Sequence, residues 1–291
     1  MYPSSFEYAR AESVEHAIEL LGRHGEDARL LAGGASLIPL MKLRFANPEY
    51  IVDIGRLGEL SGVRREDGTF VVGSLTKHAE LERDAELRAA LPIVHDAASH
   101  IGDMQVRNMG TIGGSLAECD PAGDWAPVML ALDGSVRVKG PDGQRTILAR
   151  DLFVDAYTTS LGHDEVLTEV LLPAPSGRFG GAHLKIERRA GDFAIANCSV
   201  TLTLDESDKC RAIGIGLGGV GLTPLKVVAA EKILRGEELV EARLAEAAEA
   251  VANCTESFSD ARGSEDYRRH LGGVMFRRAL EAARRRASGS C

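Results

Sequence analysis

In "SVEHAIELLGRHG", residues 13 to 25, Val14, Ala17, Ile18 and Leu21 recur at helical spacing behind Ser13, a residue suited to capping, and Gly22 or Gly25 supplies a stop. The pattern predicts a helix there. "RLLAGG" reads next as a short buried strand, "SLIPLMKLR" as a helix entered from the glycines, and "YIVDI" as another strand ending at Gly55. The first 55 residues therefore form a βαβ-like unit. A second block begins with "TFVVGSL" and passes through helical segments from Lys77 to Ala98. In "DWAPVMLALDG" Trp125, Val128, Met129 and Leu132 share a helical face, with Asp124 as the cap and Asp133-Gly134 as the stop. "SVRVKG", "PDGQ" and "RTILA" then spell strand, turn and strand, and "EVLTEVLLP" adds a further strand.

"PAPSGRFGG", residues 173 to 181, is rich in Pro, Gly and Ser and reads as a domain linker. Beyond it "AHLKIERR", "AIANCSVTLTLD" and "CRAIGIGLGGVG" alternate as strands of an antiparallel sheet. Helices follow at about Pro224 to Arg235, Glu238 to Ala250 and Ser264 to Arg286. Strands followed by helices indicate a separate α+β domain.

Charge and cysteine usage narrow the function classes. A formal net charge of -9 argues against nucleic acid and anionic membrane as partners, because no basic surplus exists to neutralise phosphates. The basic run "FRRALEAARRR" reads as a solvated helix face near the negative end of the dipole. Cys119, Cys198, Cys210, Cys254 and Cys291 form no CxxC pair, so neither a zinc nor an iron–sulfur site is expected in this chain. The odd count, the lack of an export signal in "MYPSSFEYARAES" and the lack of an apolar stretch near the roughly 18 residues of a membrane span point to the cytoplasm.

The candidate chemistry lies in two glycine pairs. "LLAGGASL", residues 30 to 37, and "TIGGSLAECDPAGDWAP", residues 111 to 127, each break an apolar run at Gly-Gly before a helix. Such a turn brings successive N–H groups against a phosphate without an intervening side chain, and the helix start adds a positive dipole. Either alone is usually an ordinary tight turn; two of matching form suggest one ligand held from both sides. Asp124 suits ribose or ribityl hydroxyls further along such a ligand, a role compatible with helix capping. Glu118, Cys119, Asp120 and Asp124 make a poor metal set, because no histidine joins them and a thiolate mixes badly with hard oxygen ligands.

"GIGLGG", residues 214 to 219, matches the Rossmann glycine pattern, yet Ile213, Ile215 and Leu217 alternate with glycines as in one strand, so close sheet packing is the better reading. In "KIERRAGDFAIAN", residues 185 to 197, a basic hairpin with Phe193 packed on its own domain competes with a loop whose aromatic covers a planar ring beside Lys185. No nucleophile elbow and no zinc-binding histidine spacing occur.

"AGGASLIPLMKLR" together with "GDMQVRNMGTIGGSLAECDPAGDWAPVMLAL" closely resembles the FAD-binding medium subunit of molybdenum-containing hydroxylases, the carbon monoxide dehydrogenase and xanthine dehydrogenase family. The likeness extends through "EVLTEVLLP", "LKIERRAGDFAIA" and "GIGLGGVGLTPLKVVAAEKIL". It implies an α+β protein: a two-lobed FAD-binding region of the vanillyl-alcohol-oxidase type, lobes at 1–55 and 56–177, and a C-terminal domain at 178–291. Carried over by position, Ala32, Gly33, Gly34, Ala35 and Ser36 would bind the pyrophosphate from one side, and Thr111, Ile112, Gly113, Gly114 and Ser115 from the other. Asp124 would hold ribityl or ribose hydroxyls, Ile101 and Leu167 would line the cofactor, Lys185 would sit near the flavin, and the Asp192-Phe193 loop would shield the ring. Ser115 stands where many members have Asn, Ala35 where carbon monoxide dehydrogenases often have His, and Phe193 where some have Tyr.

The resemblance further implies that substrate is oxidised at a molybdenum cofactor in a large subunit and that electrons cross two [2Fe–2S] clusters in a small one. FAD in this chain would pass them to an outside acceptor such as a quinone, in a dimer of heterotrimers with peripheral contact to a membrane quinone system. The chain's task would be to bind and tune FAD, without an acid–base residue or a metal of its own. Carbon monoxide ranks ahead of xanthine-like or other N-heterocyclic substrates on overall likeness. A stand-alone flavin oxidoreductase of the same fold and a non-catalytic nucleotide-binding protein are the rival readings.

Overall fold

The first lobe follows the hydrophobic pattern closely. Strand β1 (Glu7–Arg10) leads to helix α1 (Val14–His24), where the Ser13 side chain accepts from the His16 amide and Gly25 closes the helix with φ of 56°. Val14, Ala17, Leu20 and Leu21 are its buried residues, and they pack beneath β2 (Ala28–Leu31) and β3 (Tyr50–Asp53), with α2 (Leu37–Lys42) between those strands. The strands run in the order β1-β3-β2, all parallel. The pattern gave no expectation of β1, because all four of its residues are exposed or only partly buried. The computed structural model describes residues 2–289, so Cys291 lies outside the described residues.

The second lobe is an antiparallel sheet with helices on one side. It contains β4 (Val63–Glu66), β5 (Thr69–Gly73), four helices α3 (His78–Arg83), α4 (Ala85–Ala90), α5 (Pro92–His100) and α6 (Met104–Met109), then α7 (Ile112–Glu118) and α8 (Trp125–Ala131). Strands β6 (Ser135–Gly140) and β7 (Gly143–Leu148), the short α9 (Ala149–Leu152), the small pair β8 (Phe153–Asp155) and β9 (Thr158–Thr159), and β10 (Val166–Pro173) complete it. The main sheet has the order β4-β5-β10-β6-β7. Phe70, Val72, Leu81, Ile93, Trp125, Met129, Val136 and Val170 form its core. Every residue of α8 is buried, as expected of a helix apolar on all sides, so it must be covered from a second direction.

The C-terminal sheet provides that cover. Strands β11 (Arg178–Ile186), β12 (Ala196–Leu204), β13 (Cys210–Gly218) and β14 (Leu225–Lys226) pair antiparallel in that order, followed by α10 (Val228–Leu234), α11 (Glu241–Asn253) and α12 (Glu265–Ala287). "GIGLGG" does begin within a strand: a Cβ at Gly214 would lie 2.0 Å from the Ala131 carbonyl oxygen, and one at Gly216 would lie 2.1 Å from that of Pro127. These glycines let the backbone of α8 rest directly on β13.

Two expectations need correction. The linker is shorter than residues 173 to 181, because β11 begins at Arg178, and Gly180 serves close packing instead, its missing Cβ lying 2.0 Å from the Ala283 oxygen of α12. The helix expected from Pro224 begins at Val228, since Leu225 and Lys226 pair with Leu217 and Gly216. The arginines of the C-terminal run are exposed, and two of them also tie the helix to the rest of the fold: Arg286 grips Asp96 of α5 with both terminal nitrogens, at 2.6 and 3.0 Å, and Arg284 donates to the Leu239 oxygen. Among the described residues no helix is long and apolar enough to cross a membrane, and no group of three or more His, Cys, Asp or Glu converges to hold a metal ion.

Candidate functional site

The first glycine turn leaves β2 at Ala32 and enters α2 at Leu37. Gly33 has no room for a side chain, because its Cβ would fall 1.9 Å from the Met109 oxygen, and Gly34 takes φ of 71°. The Gly34 and Ser36 carbonyls accept from Ile38 and Leu40 as the helix begins. Among the described residues, the backbone amides of Gly33, Gly34, Ala35, Ser36 and Leu37 donate to no group of the chain. Ala35 is exposed and the other four are half-buried, so the run of five N–H groups is a ready anion cradle.

The second turn is built differently. Thr111 caps α7 by accepting from the Gly114 amide. The Ile112 amide donates to the Thr76 oxygen, that of Gly113 to Ser74, and that of Ser115 to Thr111. From Ile112 to Ser115 the amides are thus bonded within the chain, which sets this turn apart from the first. Ile112 and Gly113 are buried against the lobe, whereas Gly114 is exposed and Ser115 half-buried. What this side offers is a surface without a side chain at Gly114, together with the Ser115 hydroxyl.

The two turns adjoin. Ser36 Oγ donates to Glu118 Oε2 at 2.6 Å, and a Cβ on Gly114 would lie 3.9 Å from that of Ala32. Burial raises the Glu118 carboxyl above the ordinary carboxylate value, although the Ser36 hydrogen bond pulls the other way. Glu118 leads to a second polar pair. Tyr157, with a left-handed φ of 55°, donates its hydroxyl to Asp120 Oδ2 at 3.1 Å, and burial, then Asp120, pushes its phenol up to about 12.

Further along, Asp124 sits at the N-cap position of α8 but its side chain does not cap the helix. The carboxylate, 5% exposed, turns toward the C-terminal sheet, with His183 Nε2 at 3.1 Å and Asn197 Nδ2 at 3.2 Å from Oδ1, and Lys185 Nζ at 3.0 Å from Oδ2. Burial alone would raise its pKa, but His183 first and then Lys185 hold it below the usual carboxylate range. Lys185 is likewise committed, donating also to the His100 oxygen at 3.0 Å and lying 3.3 Å from Glu187 Oε2. Next to Ile101, a Cβ at Gly191 would meet the Gly102 oxygen at 2.9 Å, so the Asp192-Phe193 loop rests on the segment that follows α5. Phe193 is 41% exposed, and its ring lies under the Arg262 guanidinium from the same C-terminal part of the chain, which is 5.8 Å from the ring centre. Leu167 lies within the second-lobe core at 6% exposure.

The structure thus gathers Ala32 to Ser36 with Gly114 and Ser115 at one place, and Ile101, Asp124, Lys185, Asp192 and Phe193 at another. Sequence reasoning missed His78, Glu118, Tyr157, His183, Asn197 and Arg262. His78 lies behind the second turn: Trp125 Nε1 donates to its Nδ1 at 3.1 Å, and burial lowers its pKa to about 4. No local signal marks these residues, because their partners are distant in the chain; in the sequence Glu118 stands out only as a member of a poor metal set. Burial raises the thiols of Cys119, Cys198 and Cys210, which leaves them poor nucleophiles.

Comparison with known proteins bears on the chain as a whole. Residues 4–175 match the family model described as the FAD binding domain in molybdopterin dehydrogenase, and residues 182–283 match the CO dehydrogenase flavoprotein C-terminal domain. The chain is 42% identical to the carbon monoxide dehydrogenase medium chain of Afipia carboxidovorans, over 99% of both chains. It is 39% identical to the 6-hydroxypseudooxynicotine dehydrogenase complex subunit alpha of Paenarthrobacter nicotinovorans, over 99% of this chain and 97% of the relative. A crystal structure of carbon monoxide dehydrogenase from Hydrogenophaga pseudoflava superposes with a TM-score of 0.96 at 41% identity, covering 98% of this chain and 99% of that one. The chain therefore belongs to the family of FAD-binding medium subunits of molybdenum hydroxylases, the oxidoreductase components typified by carbon monoxide dehydrogenase.

Proposed function

We propose that this chain carries FAD between the [2Fe–2S] clusters of a small partner subunit and an external acceptor such as a quinone, in a complex whose large subunit oxidises substrate at a molybdenum cofactor. The run of unengaged amides from Gly33 to Leu37, set beside the bare surface at Gly114, carries this reading. It fits a diphosphate: five successive amides have no acceptor within the chain, and a side chain on Gly33 would be blocked by the backbone before α7. FAD, when bound, supplies the exchange of electrons between one-electron clusters and the acceptor.

The protein's own residues bind and orient. The turn from Ala32 to Ser36 takes the negative charge through its N–H groups, while Thr111, Gly114 and Ser115 provide the opposing wall, with Ile112 and Gly113 anchoring that wall to the lobe. Asp124 and Lys185 act as a fixed charge pair under the ring end, a ribityl hydroxyl being an additional partner for the carboxylate. Ile101 and Leu167 supply apolar surface, and the Asp192-Phe193 loop covers a ring face. We place the lobes at 1–55 and 56–177 and the C-terminal domain at 178–291, in a cytoplasmic dimer of heterotrimers with carbon monoxide as the favoured substrate. Overall identity to a carbon monoxide dehydrogenase medium chain supports that preference.

Purification of the native complex tests the assignment. It predicts one FAD per copy of this chain, with molybdenum and iron in two associated chains. A colourless protein, or a solitary chain that oxidises substrate unaided, contradicts it.

A further inference from the structure

Arg268 of α12 is 1% exposed, although it carries a full charge. Its Nη1 donates to the Ile195 oxygen at 2.7 Å and the Gly219 oxygen at 2.6 Å, its Nη2 to Asp260 Oδ1 at 2.6 Å, and its guanidinium lies 4.7 Å from the Phe258 ring centre. The three acceptors belong to three separate loops. An apolar side chain would fill the same space without the cost of burying a charge, whereas only a planar fork reaches all three acceptors at once. Ile195 closes the hairpin that holds Phe193, its amide returning to the Ile186 oxygen. Asp260 Oδ1 also accepts from the Arg262 and Gly263 amides, shaping the turn that lays Arg262 over the Phe193 ring. Among the described residues the Arg262 guanidinium makes no hydrogen bond or ion pair.

We propose that Arg268 is a positioning residue for the cover over the ring end of the site, and that Arg262 clasps Phe193 so that the pair sets how far an external acceptor can approach. This rests on the FAD reading above. One buried guanidinium fixes both halves of the clasp, the loop with Phe193 and the loop with Arg262. Gly219, which Arg268 also holds, donates through its amide to the Pro121 oxygen, so the same anchor reaches the segment before Asp124.

The test uses the assembled complex, with Arg262→Ala, Phe193→Leu, their combination and Arg268→Lys. Flavin absorbance reads occupancy, visible circular dichroism of the bound flavin reads the surroundings of the ring, and a water-soluble benzoquinone serves as acceptor. Arg262→Ala is expected to keep full flavin and kcat, to alter the dichroism, and to shift KM for the quinone about two- to fivefold, the size of one exposed cation–π contact. The double variant should go no further than Phe193→Leu alone. Arg268→Lys should reproduce the altered dichroism with flavin retained; if it fails to fold, Asp260→Asn carries the same expectation. Wild-type dichroism and KM in Arg262→Ala at full flavin occupancy would overturn the clasp while leaving the FAD assignment intact. A wild-type complex without flavin would overturn both.

Discussion

Ser36 and Glu118, 82 positions apart in sequence, are joined by a 2.6 Å hydrogen bond that ties the turn after β2 to the last residue of α7. The carboxyl group stands at the edge of the proposed phosphate cradle and is raised above its ordinary pKa, with burial as the main cause. A group whose folded pKa exceeds its unfolded value takes up a proton on folding, so its stabilising effect is present at low pH and is lost as pH rises through the raised value. Retention of FAD should follow the same course, since an ionised Glu118 repels phosphate. Glu118→Gln is expected to abolish that loss; flavin release measured across pH 4 to 8 in both proteins checks it, and parallel curves would count against it.

Gly33 and Gly114 should respond differently to a side chain. Gly33→Val forces the turn away from the Met109 backbone, so both thermal stability and flavin content should fall. Gly114→Val adds bulk on an exposed surface, where the nearest obstacle is the Thr111 hydroxyl at 2.8 Å. That variant should stay folded and lose mainly flavin, as measured by melting temperature beside the absorbance ratio of flavin to protein. Equal flavin loss without any stability difference would contradict the distinction.

His78 makes stability depend on acid. Its folded pKa near 4, against 6.5 for the free side chain, means that the unfolded chain binds the proton first as pH falls. Stability contributed by the neutral ring is complete above about pH 6.5 and is lost between there and pH 4, by at most roughly 3 kcal/mol. Urea midpoints of the wild type and His78→Gln over that range should converge as pH drops. Trp125→Phe removes the donor to Nδ1 and should cost about 1–3 kcal/mol at neutral pH.

Removing the buried carboxylate strands its partners. Asp124→Ala leaves Lys185 and His183 without their shared acceptor, and breaking such a buried pair costs on the order of 3–5 kcal/mol. Because Asp124 is held below the usual carboxylate value, its contribution is present above the unfolded pKa and disappears as pH falls through the folded one. Chemical denaturation of Asp124→Ala at pH 7 should therefore show a large loss, and a change within experimental error would show that the network is not holding the start of α8 to the C-terminal sheet.

Regular elements and glycine turns were legible in the sequence because their causes are local: apolar spacing in α1, alternation in β13, Gly-Gly before α2 and α7. Asp124 shows where that reading stops. An acid directly before an apolar helix looks like a cap, and only residues 59 to 73 positions further on, His183 and Asn197, draw its carboxylate elsewhere. Likewise nothing near Gly113 reveals that the Ser74 oxygen already takes its amide. Arg268 resembles any other arginine on a charged helix until three loops converge on it. Edge strand β1 stayed hidden because an exposed strand has no buried face to enforce alternation.

Unengaged amides in the first turn and bonded ones in the second mean that diphosphate should be held by the first and not by the second. Amide hydrogen exchange, compared between the FAD-loaded complex and the same complex stripped of flavin, measures this directly. Strong protection on FAD binding is expected across Gly33 to Leu37, with little change from Ile112 to Ser115. Protection confined to the second turn, or none in the first while FAD remains bound, would contradict it.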